Sequence, residues 1–301
     1  MISAAAVAAV AAIAAQTPAE PPRDLQRRFR SGVDLVAVGA TVTDRDGHLI
    51  TGLGRDQFEI YEDGVRQTLA VFTNERVPIG LGVLLDISDS MFGRRIADAR
   101  SAVSRFLFEL LQPQDEFFVF AFNHRPRPLT GWTRAAGEVQ RALDALRPSG
   151  GTAAYDAIVD ALPLIEARSR ERGALVVISD GADTASTATL RDVRAALLRS
   201  DALVYAIAID PPGAGAINAR VDAQALREIT AESGGSTEIV QSSADLDTAT
   251  ARIAEELNSQ YLLGYTPTHP ADGKYHSLRV RVTGSASDLR VRARNGYVTV
   301  R

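Results

Sequence analysis

The sequence predicts an α/β fold, a doubly wound and mostly parallel sheet joined to a β-rich domain built from the two flanks of the chain. Between residues 79 and 259, short apolar runs without polar alternation alternate with amphipathic helical stretches. This pattern is typical of a parallel sheet covered on both faces. The flanks are rich in β-branched and aromatic residues, broken by Asp-Gly pairs. With 301 residues, 46% of them hydrophobic, the chain can bury a sizeable core.

The first fifteen residues, MISAAAVAAVAAIAA, predict a secretory signal peptide. This apolar run is shorter than the ~20 residues needed to span a bilayer, and it ends in an Ala-Ile-Ala pattern suited to signal peptidase. No Lys or Arg precedes it, so an upstream start or a buried Ala-rich helix remains an alternative. Residues 16–32 form a Pro-rich linker. We therefore expect a periplasmic, cell-surface or secreted protein with no integral membrane segment after signal removal.

Residues 33–78 predict a β segment with tight turns. Asp46-Gly47 and Asp63-Gly64 are dipeptides that favour two-residue hairpins. Asp44 and Asp46 also suggest a calcium loop, but the third oxygen ligand and the closing Glu of such a loop are missing. We therefore interpret this stretch as a plain turn.

Residues 79–259 predict the doubly wound domain. Its first helix has an apolar stripe for packing on a sheet, formed at three- and four-residue spacing by Ile96, Ala99, Val103, Phe106 and Leu110. In such folds a ligand binds beyond the carboxyl ends of the strands, in the loops that lead to helices. The functional residues are therefore expected in those loops.

Residues 260–301 return to a β pattern. Arginines recur at every second position, Arg279 and Arg281 in one strand and Arg290 to Arg294 in another, so each set shares a strand face. A solvated outer face is the favoured interpretation, and a polyanion site is the alternative. Because neither flank alone has enough strands for a stable core, we expect residues 260–301 to pair with 33–78.

Small oxygen-bearing side chains cluster where three predicted strands and turns lead into helices. The candidate metal ligands are Asp86, Ser88, Ser90, Thr152 and Asp180. Two carboxylates and three hydroxyls, without His or Cys, suit Mg²⁺ or Mn²⁺ better than Zn²⁺. Helix capping by Ser90 and Thr152 is the structural alternative.

These residues resemble the metal-ion-dependent adhesion site of von Willebrand factor type A domains. The resemblance consists of an Asp-x-Ser-x-Ser run, a threonine after two glycines and a later Ser-Asp-Gly, and it covers roughly residues 79–259. It implies that Ser88, Ser90 and Thr152 contact the cation through hydroxyls, with Asp86 and Asp180 acting directly or through water. An acidic side chain of a protein partner then completes the coordination. The flanking segments resemble an exported, often acidobacterial, subgroup.

Two residues beside this set, Asp89 and Asp183, are interpreted as solvated loop residues. The alternative is that they support the metal ligands without contacting the ion. Gly150 and Gly151 permit the turn that brings Thr152 to the ion. Asp156 is expected in the first turn of the following helix, where it suits the helix dipole.

Two other functions are alternatives to this one. A metal-dependent phosphatase or phosphotransferase using Asp86 needs an acid two residues on, where Ser88 stands, and a later lysine in the sheet, whereas Lys274 lies in the β tail. A scaffold whose β domain does the binding is the third possibility. The absence of cysteine excludes thiol chemistry, and a net charge of −4 gives no electrostatic case for nucleic acid. The sequence therefore predicts a binding module and no enzyme.

Overall fold

The computed structural model of the protein describes residues 35–180, 182–209, 222–284 and 289–299. The signal peptide and the linker expected over residues 1–32 lie outside this part of the chain. None of the helices within these ranges combines the length and the apolar character that crossing a membrane requires.

The described strands and helices follow the alternation expected from the sequence. In chain order the strands are β1 (Val36–Thr43), β2 (Phe58–Glu62), β3 (Val65–Gln67), β4 (Val71–Thr73), β5 (Ile79–Asp86), β6 (Glu116–Phe122), β7 (Pro126–Pro128), β8 (Arg172–Ser179), β9 (Leu203–Ile209), β10 (Thr237–Val240), β11 (Tyr261–Tyr265), β12 (Tyr275–Val282), β13 (Arg290–Ala293) and β14 (Gly296–Val298). The α-helices are α1 (Arg94–Arg105), α2 (Ala136–Asp144), α3 (Ala154–Glu166), α4 (Leu190–Leu197), α5 (Ala223–Ser233) and α6 (Ser243–Ser259), and shorter helical segments occur at Arg55–Gln57, Asp89–Met91 and Phe106–Leu110.

The α/β part is built on a six-stranded sheet in the order β10-β9-β8-β5-β6-β7. All neighbours pair in parallel except β7, an antiparallel edge strand that the sequence analysis did not foresee. Helices α1, α2 and α6 pack on one face, and α3, α4 and α5 pack on the other. The doubly wound fold is therefore confirmed.

The central strand β5 is buried along its whole length and ends at Asp86. A side chain at Gly82 would place its Cβ 2.4 Å from the Phe118 ring and 2.5 Å from Leu175. Glycine at this position therefore lets large side chains of β6 and β8 close over the strand that carries the candidate site.

The β-rich part consists of two antiparallel four-stranded sheets, ordered β13-β1-β11-β4 and β14-β12-β2-β3. Each sheet combines strands from both ends of the chain, since β1 pairs with β11 and β2 pairs with β12. The expectation that the flanks form one β-rich part is confirmed. The β2–β3 hairpin turns at Asp63 and Gly64, both at positive φ, as the Asp-Gly pair predicted.

The two parts meet through buried polar contacts. Gln260 donates to the Tyr205 hydroxyl at 2.9 Å and to the Thr41 hydroxyl at 3.2 Å. Arg292 pairs with the buried Glu256 and donates to the Gly234 carbonyl at 3.1 Å. The expected solvated face therefore holds for Arg279 and Arg281 but is wrong for Arg292, because its strand faces the α/β part.

Candidate metal centre

Asp86 lies at the carboxyl end of β5 with no solvent exposure. One carboxylate oxygen accepts the backbone N–H of Ser88 at 2.8 Å, and the other accepts the Ser179 hydroxyl at 2.5 Å. Burial raises the pKa of Asp86 to about 6, although these hydrogen bonds favour its charged form. The fold therefore holds a carboxylate at a place where its charge is costly.

Ser88 and Ser90 lie in the loop between β5 and α1, called here the first loop, and they form hydrogen bonds that reach Asp180 at the start of the loop after β8. The hydroxyls of Ser88 and Ser90 lie 2.9 Å apart, and the Ser90 hydroxyl donates to Asp180 Oδ1 at 2.6 Å. Side-chain oxygens from two neighbouring strand ends therefore form one continuous hydrogen-bonded chain.

Thr152 is 4% exposed, and its loop is tied to the loops on both sides. The Asp89 N–H donates to the Gly150 carbonyl at 2.9 Å, and Thr152 exchanges hydrogen bonds with Thr184 at 2.8 and 3.0 Å. Gly150 has a φ of +77°, as the glycine turn predicted. Within the described ranges, no hydrogen bond joins the Thr152 hydroxyl to the other four candidate ligands.

The helix-capping alternative is wrong. Helix α1 begins at Arg94 after an N-cap at Gly93, and α3 begins at Ala154 after an N-cap at Ala153. Neither N-cap is made by a side chain, so the hydroxyls of Ser90 and Thr152 are not used as helix caps.

The carboxylates beside the site differ from each other. Asp89 is exposed, as expected. Asp183 was interpreted as a solvated residue, but it accepts the Tyr155 N–H at 3.0 Å and the Ser186 hydroxyl at 2.6 Å. The loop between β8 and α4, called here the third loop, packs against the first turn of α3. Asp183 is therefore hydrogen-bonded, and Asp156 in that turn also accepts the Ala188 N–H at 2.8 Å.

Arg95 is a residue of the site that the sequence analysis missed. Its guanidinium Nη1 lies 2.7 Å from Asp180 Oδ2 and 2.9 Å from the Ser90 carbonyl oxygen. The pair Arg94-Arg95 was visible at the start of the predicted helix, but sequence alone could not decide which arginine turns toward the strand ends.

The surface around the site combines apolar and basic groups. Phe92, two residues after Ser90, is 79% exposed. A pocket of about 320 Å³ lies beside Arg95, with Ile209, Val240 and Leu246 among its apolar lining residues. The site therefore opens beside a surface that offers both charge and apolar contact.

Two other titratable clusters occur in the described part of the chain, both in the β-rich flanks. Asp44, Asp46 and His48 form an exposed turn in which Asp44 accepts two backbone N–H groups. This arrangement agrees with the plain-turn interpretation.

The second cluster joins the buried Glu62 to His269 and His276. The two imidazole rings are stacked 3.7 Å apart and nearly parallel, and Glu62 accepts the hydroxyls of Tyr265 and Tyr297 at 2.6 Å each. A single ion cannot lie in the planes of two stacked rings, so this cluster is a hydrogen-bonded network of the β core.

The oxygen atoms of the first site fit a hard divalent cation. Asp86 and Asp180 supply charge, the serines supply neutral oxygens, and no imidazole or thiol takes part. The two negative charges of the carboxylates balance the two positive charges of a divalent cation, and Arg95 adds one further positive charge beside them.

Residues 81–182 match the family model described as von Willebrand factor type A domain. No curated protein sequence matches the chain significantly.

Solved structures with the same fold include a von Willebrand factor type A protein from Catenulispora acidiphila, at 12% identity and a TM-score of 0.54, covering 89% of this chain and 74% of that one. An aerotolerance-related membrane protein from Bacteroides fragilis, solved with multiple mutations to serine, shares 20% identity with a TM-score of 0.51, covering 60% and 98% of the two chains. The PilB minor pilin from Streptococcus sanguinis shares 11% with a TM-score of 0.51, covering 62% and 63%. These likenesses concern the fold. Residues 81–182 therefore match the von Willebrand factor type A domain, and the α/β part shares its fold with these solved structures.

Proposed function

We propose that the protein binds an acidic side chain of a protein partner through Mg²⁺ or Mn²⁺ held by Asp86, Ser88, Ser90, Thr152 and Asp180. The observation that carries this proposal is the chain of oxygens from Ser88 through Ser90 to Asp180, next to the buried Asp86. Buried carboxylates and hydroxyls that do not cap a helix lie together at one sheet edge, and oxygen atoms of these kinds are the ligands that a hard cation prefers.

The charges of the site support recognition of an acidic ligand. Asp86 and Asp180 together offset the two charges of the ion, and the hydroxyls add none. A bound ion would supply Lewis acidity to an incoming carboxylate, which brings a net negative charge to the neutralised site. The chain's own residues hold the oxygens in place and exclude water from beneath them, since β5 is buried along its length.

Phe92 extends the proposed contact surface. A large apolar side chain that is 79% exposed beside a candidate binding site is typical of a residue that becomes buried on association. We therefore propose that the partner presents its carboxylate to the ion and an apolar side chain to Phe92.

Catalysis is not part of this proposal. The phosphatase alternative lacks a second acidic residue at position 88, and the cationic side chain beside the strand ends, Arg95, is already paired with Asp180. Location outside the cytoplasm follows from the apolar run at residues 1–15 and belongs to the proposal.

The test is a thermal melt of the purified protein with and without Mg²⁺ or Mn²⁺, together with a calorimetric titration of the metal. A ligand that binds only the folded state at ~100 times its dissociation constant adds ~2.7 kcal/mol to the free energy of unfolding. The wild type should therefore melt at a higher temperature with metal. The double variant Asp86→Ala, Ser88→Ala should not respond to it.

Ser101→Ala is the matched control, because Ser101 is exposed on α1 away from the site. It should respond to metal as the wild type does. Absence of both heat and thermal shift in the wild type would reject the metal site and direct attention to the β-rich part. Metal binding with partner capture unaffected by chelation would reject the role of the metal in binding.

A further inference from the structure

Arg95 contacts the candidate metal site through the Asp180 carboxylate and the Ser90 backbone. Asp180 has two carboxylate oxygens with different partners: Oδ1 accepts the Ser90 hydroxyl at 2.6 Å, and Oδ2 lies 2.7 Å from Arg95 Nη1. The same guanidinium nitrogen lies 2.9 Å from the Ser90 carbonyl oxygen. Arg95 therefore links the first and third loops without taking the oxygen that faces the hydroxyls.

The two partners of this ion pair differ in their exposure to solvent. The Asp180 side chain has no exposure, whereas that of Arg95 is 32% exposed. A buried carboxylate interacts strongly with a nearby cation because little water screens it. Arg95 thus neutralises part of the charge that a divalent ion would otherwise find at the site.

We propose that Arg95 is a positioning residue that fixes the orientation of Asp180 and lowers the affinity of the site for its cation, which leaves a bound ion more attractive to an acidic ligand. This inference rests on the proposed metal-dependent function. With Arg95 in place, the two carboxylates, the guanidinium and a divalent ion sum to a net charge of +1. Without Arg95 the same set is neutral. Arg95 thus lowers the affinity of the site for the metal ion and raises the affinity of the metal-loaded site for an acidic ligand.

The neighbouring Arg94 provides a matched comparison. Its side chain is 85% exposed and pairs at 3.4 Å with Asp98, one helical turn along α1. Replacing either arginine changes the net charge by the same amount, but only Arg95 contacts a candidate ligand. A difference between the two variants therefore reports the local contact.

The experiment is a calorimetric titration of Mn²⁺ and of Mg²⁺ into metal-free wild type, Arg95→Gln, Arg95→Lys and Arg94→Gln. Removing a positive group in direct contact with a ligand should tighten metal binding on the order of tenfold in Arg95→Gln. Arg94→Gln should match the wild type, and Arg95→Lys should lie near it. Melting curves of the metal-free proteins establish that each variant is folded.

Glutarate, a small dicarboxylate, then probes the Mn²⁺-saturated proteins. It should bind the wild type more tightly than Arg95→Gln. Metal binding that is unchanged or weaker in Arg95→Gln overturns the proposal, and so does equal tightening in both glutamine variants. Tighter metal binding without any loss of glutarate binding overturns its second part.

The result also separates this inference from the proposed function. Metal binding in the wild type with no effect of Arg95→Gln leaves the metal site standing and rejects the role of Arg95. Binding in none of the four proteins rejects both. Binding only in Arg95→Gln shows that the arginine opposes metal binding, and it rejects the proposed function of the wild type.

Discussion

Asp86 shows how a candidate functional residue reduces the stability of the fold that carries it. Burial is the largest influence on its carboxyl group and raises its pKa from 3.8 to about 6. At pH 7 the group is mostly ionised in the folded protein, at a cost that the unfolded chain does not bear. A residue selected only for stability would not carry a charge at this position.

Asp86→Asn should therefore stabilise the metal-free protein while it abolishes stabilisation by metal. The expected gain is about 1–2 kcal/mol at pH 7, since a shift of two pKa units corresponds to about 3 kcal/mol and the amide loses part of the hydrogen bonding. Urea unfolding with and without Mg²⁺ measures both effects. The exposed Asp89→Asn should change neither. A less stable metal-free Asp86→Asn would contradict the argument.

Glu62 and His269 predict a pH dependence that belongs to the β-rich part. Burial acts to raise the pKa of Glu62, but hydrogen bonds from Tyr265, Tyr297 and His269 outweigh it, so the pKa is lowered. The pKa of His269 is raised, by the Pro270 carbonyl and then by Glu62. A lowered carboxyl pKa gives stability that is lost as the pH falls, and a raised imidazole pKa gives stability that is lost as the pH rises.

His269→Gln should thus lower the free energy of unfolding most between about pH 4.5 and 6.5. In this range the carboxylate is charged and the imidazole is protonated even in the unfolded chain. The expected loss there is about 0.5–1 kcal/mol, because the imidazole is partly solvated. It should shrink as the pH rises above 7. Tyr297→Phe removes a donor to Glu62 that does not ionise in this range, so its cost should stay constant from pH 5 to 8. Urea unfolding across pH measures the two profiles, and a flat profile for His269→Gln would exclude the ion pair.

Asp86 and Asp180 were predictable as candidate ligands because each lies where an apolar strand ends, whereas Thr152 was identified from the Gly-Gly-Thr turn before a helix. The contacts among Ser88, Ser90 and Asp180 need only the parallel order of β5 and β8. Arg95 and Asp183 were not predictable in the same way. Their roles depend on the direction in which α1 begins and on how the third loop folds over α3, and both are tertiary features.

At the scale of elements, the position of the site depends on close packing around β5. Its neighbours β6 and β8 place Phe118 and Leu175 against Gly82. The apolar runs between residues 79 and 259 predicted the parallel strands. The sequence did not predict the short edge strand β7, because Pro-Arg-Pro carries no strand pattern and its pairing is decided by the neighbouring strand β6.

Gly82→Ala should destabilise the α/β part by about 1–3 kcal/mol, since the added methyl group has no space in a packed core. The control is Gly137→Ala near the start of α2, where the new Cβ meets only a flexible arginine at 3.5 Å. This control should leave stability unchanged or raise it by up to about 1 kcal/mol, because alanine favours a helix more than glycine does. Thermal melts compare the two. Equal tolerance of both substitutions would show that β5 can shift and that its packing does not fix the site.

At the scale of the whole molecule, the buried contacts between the two parts predict that they unfold together. Glu256 of α6 is 4% exposed and is paired with Arg292 of β13, while Gln260 joins α6 and β11 to Tyr205 of β9. Burial raises the pKa of Glu256, and Arg292 opposes that rise. Removing the arginine would leave a buried carboxylate without its partner.

Calorimetry should therefore record one transition for the wild type, with equal calorimetric and van't Hoff enthalpies. Arg292→Ala should lower the free energy of unfolding by about 2 kcal/mol and broaden or split this transition, because the β-rich part loses an anchor on the domain beside it. Arg279→Ala removes an exposed strand arginine and should leave both properties unchanged. If the wild type instead unfolds in two separate steps, the contacts at Glu256 and Gln260 do not couple the parts. The metal would then stabilise only the step that belongs to the α/β part, and the β-rich part would be free to act as an independent binding module.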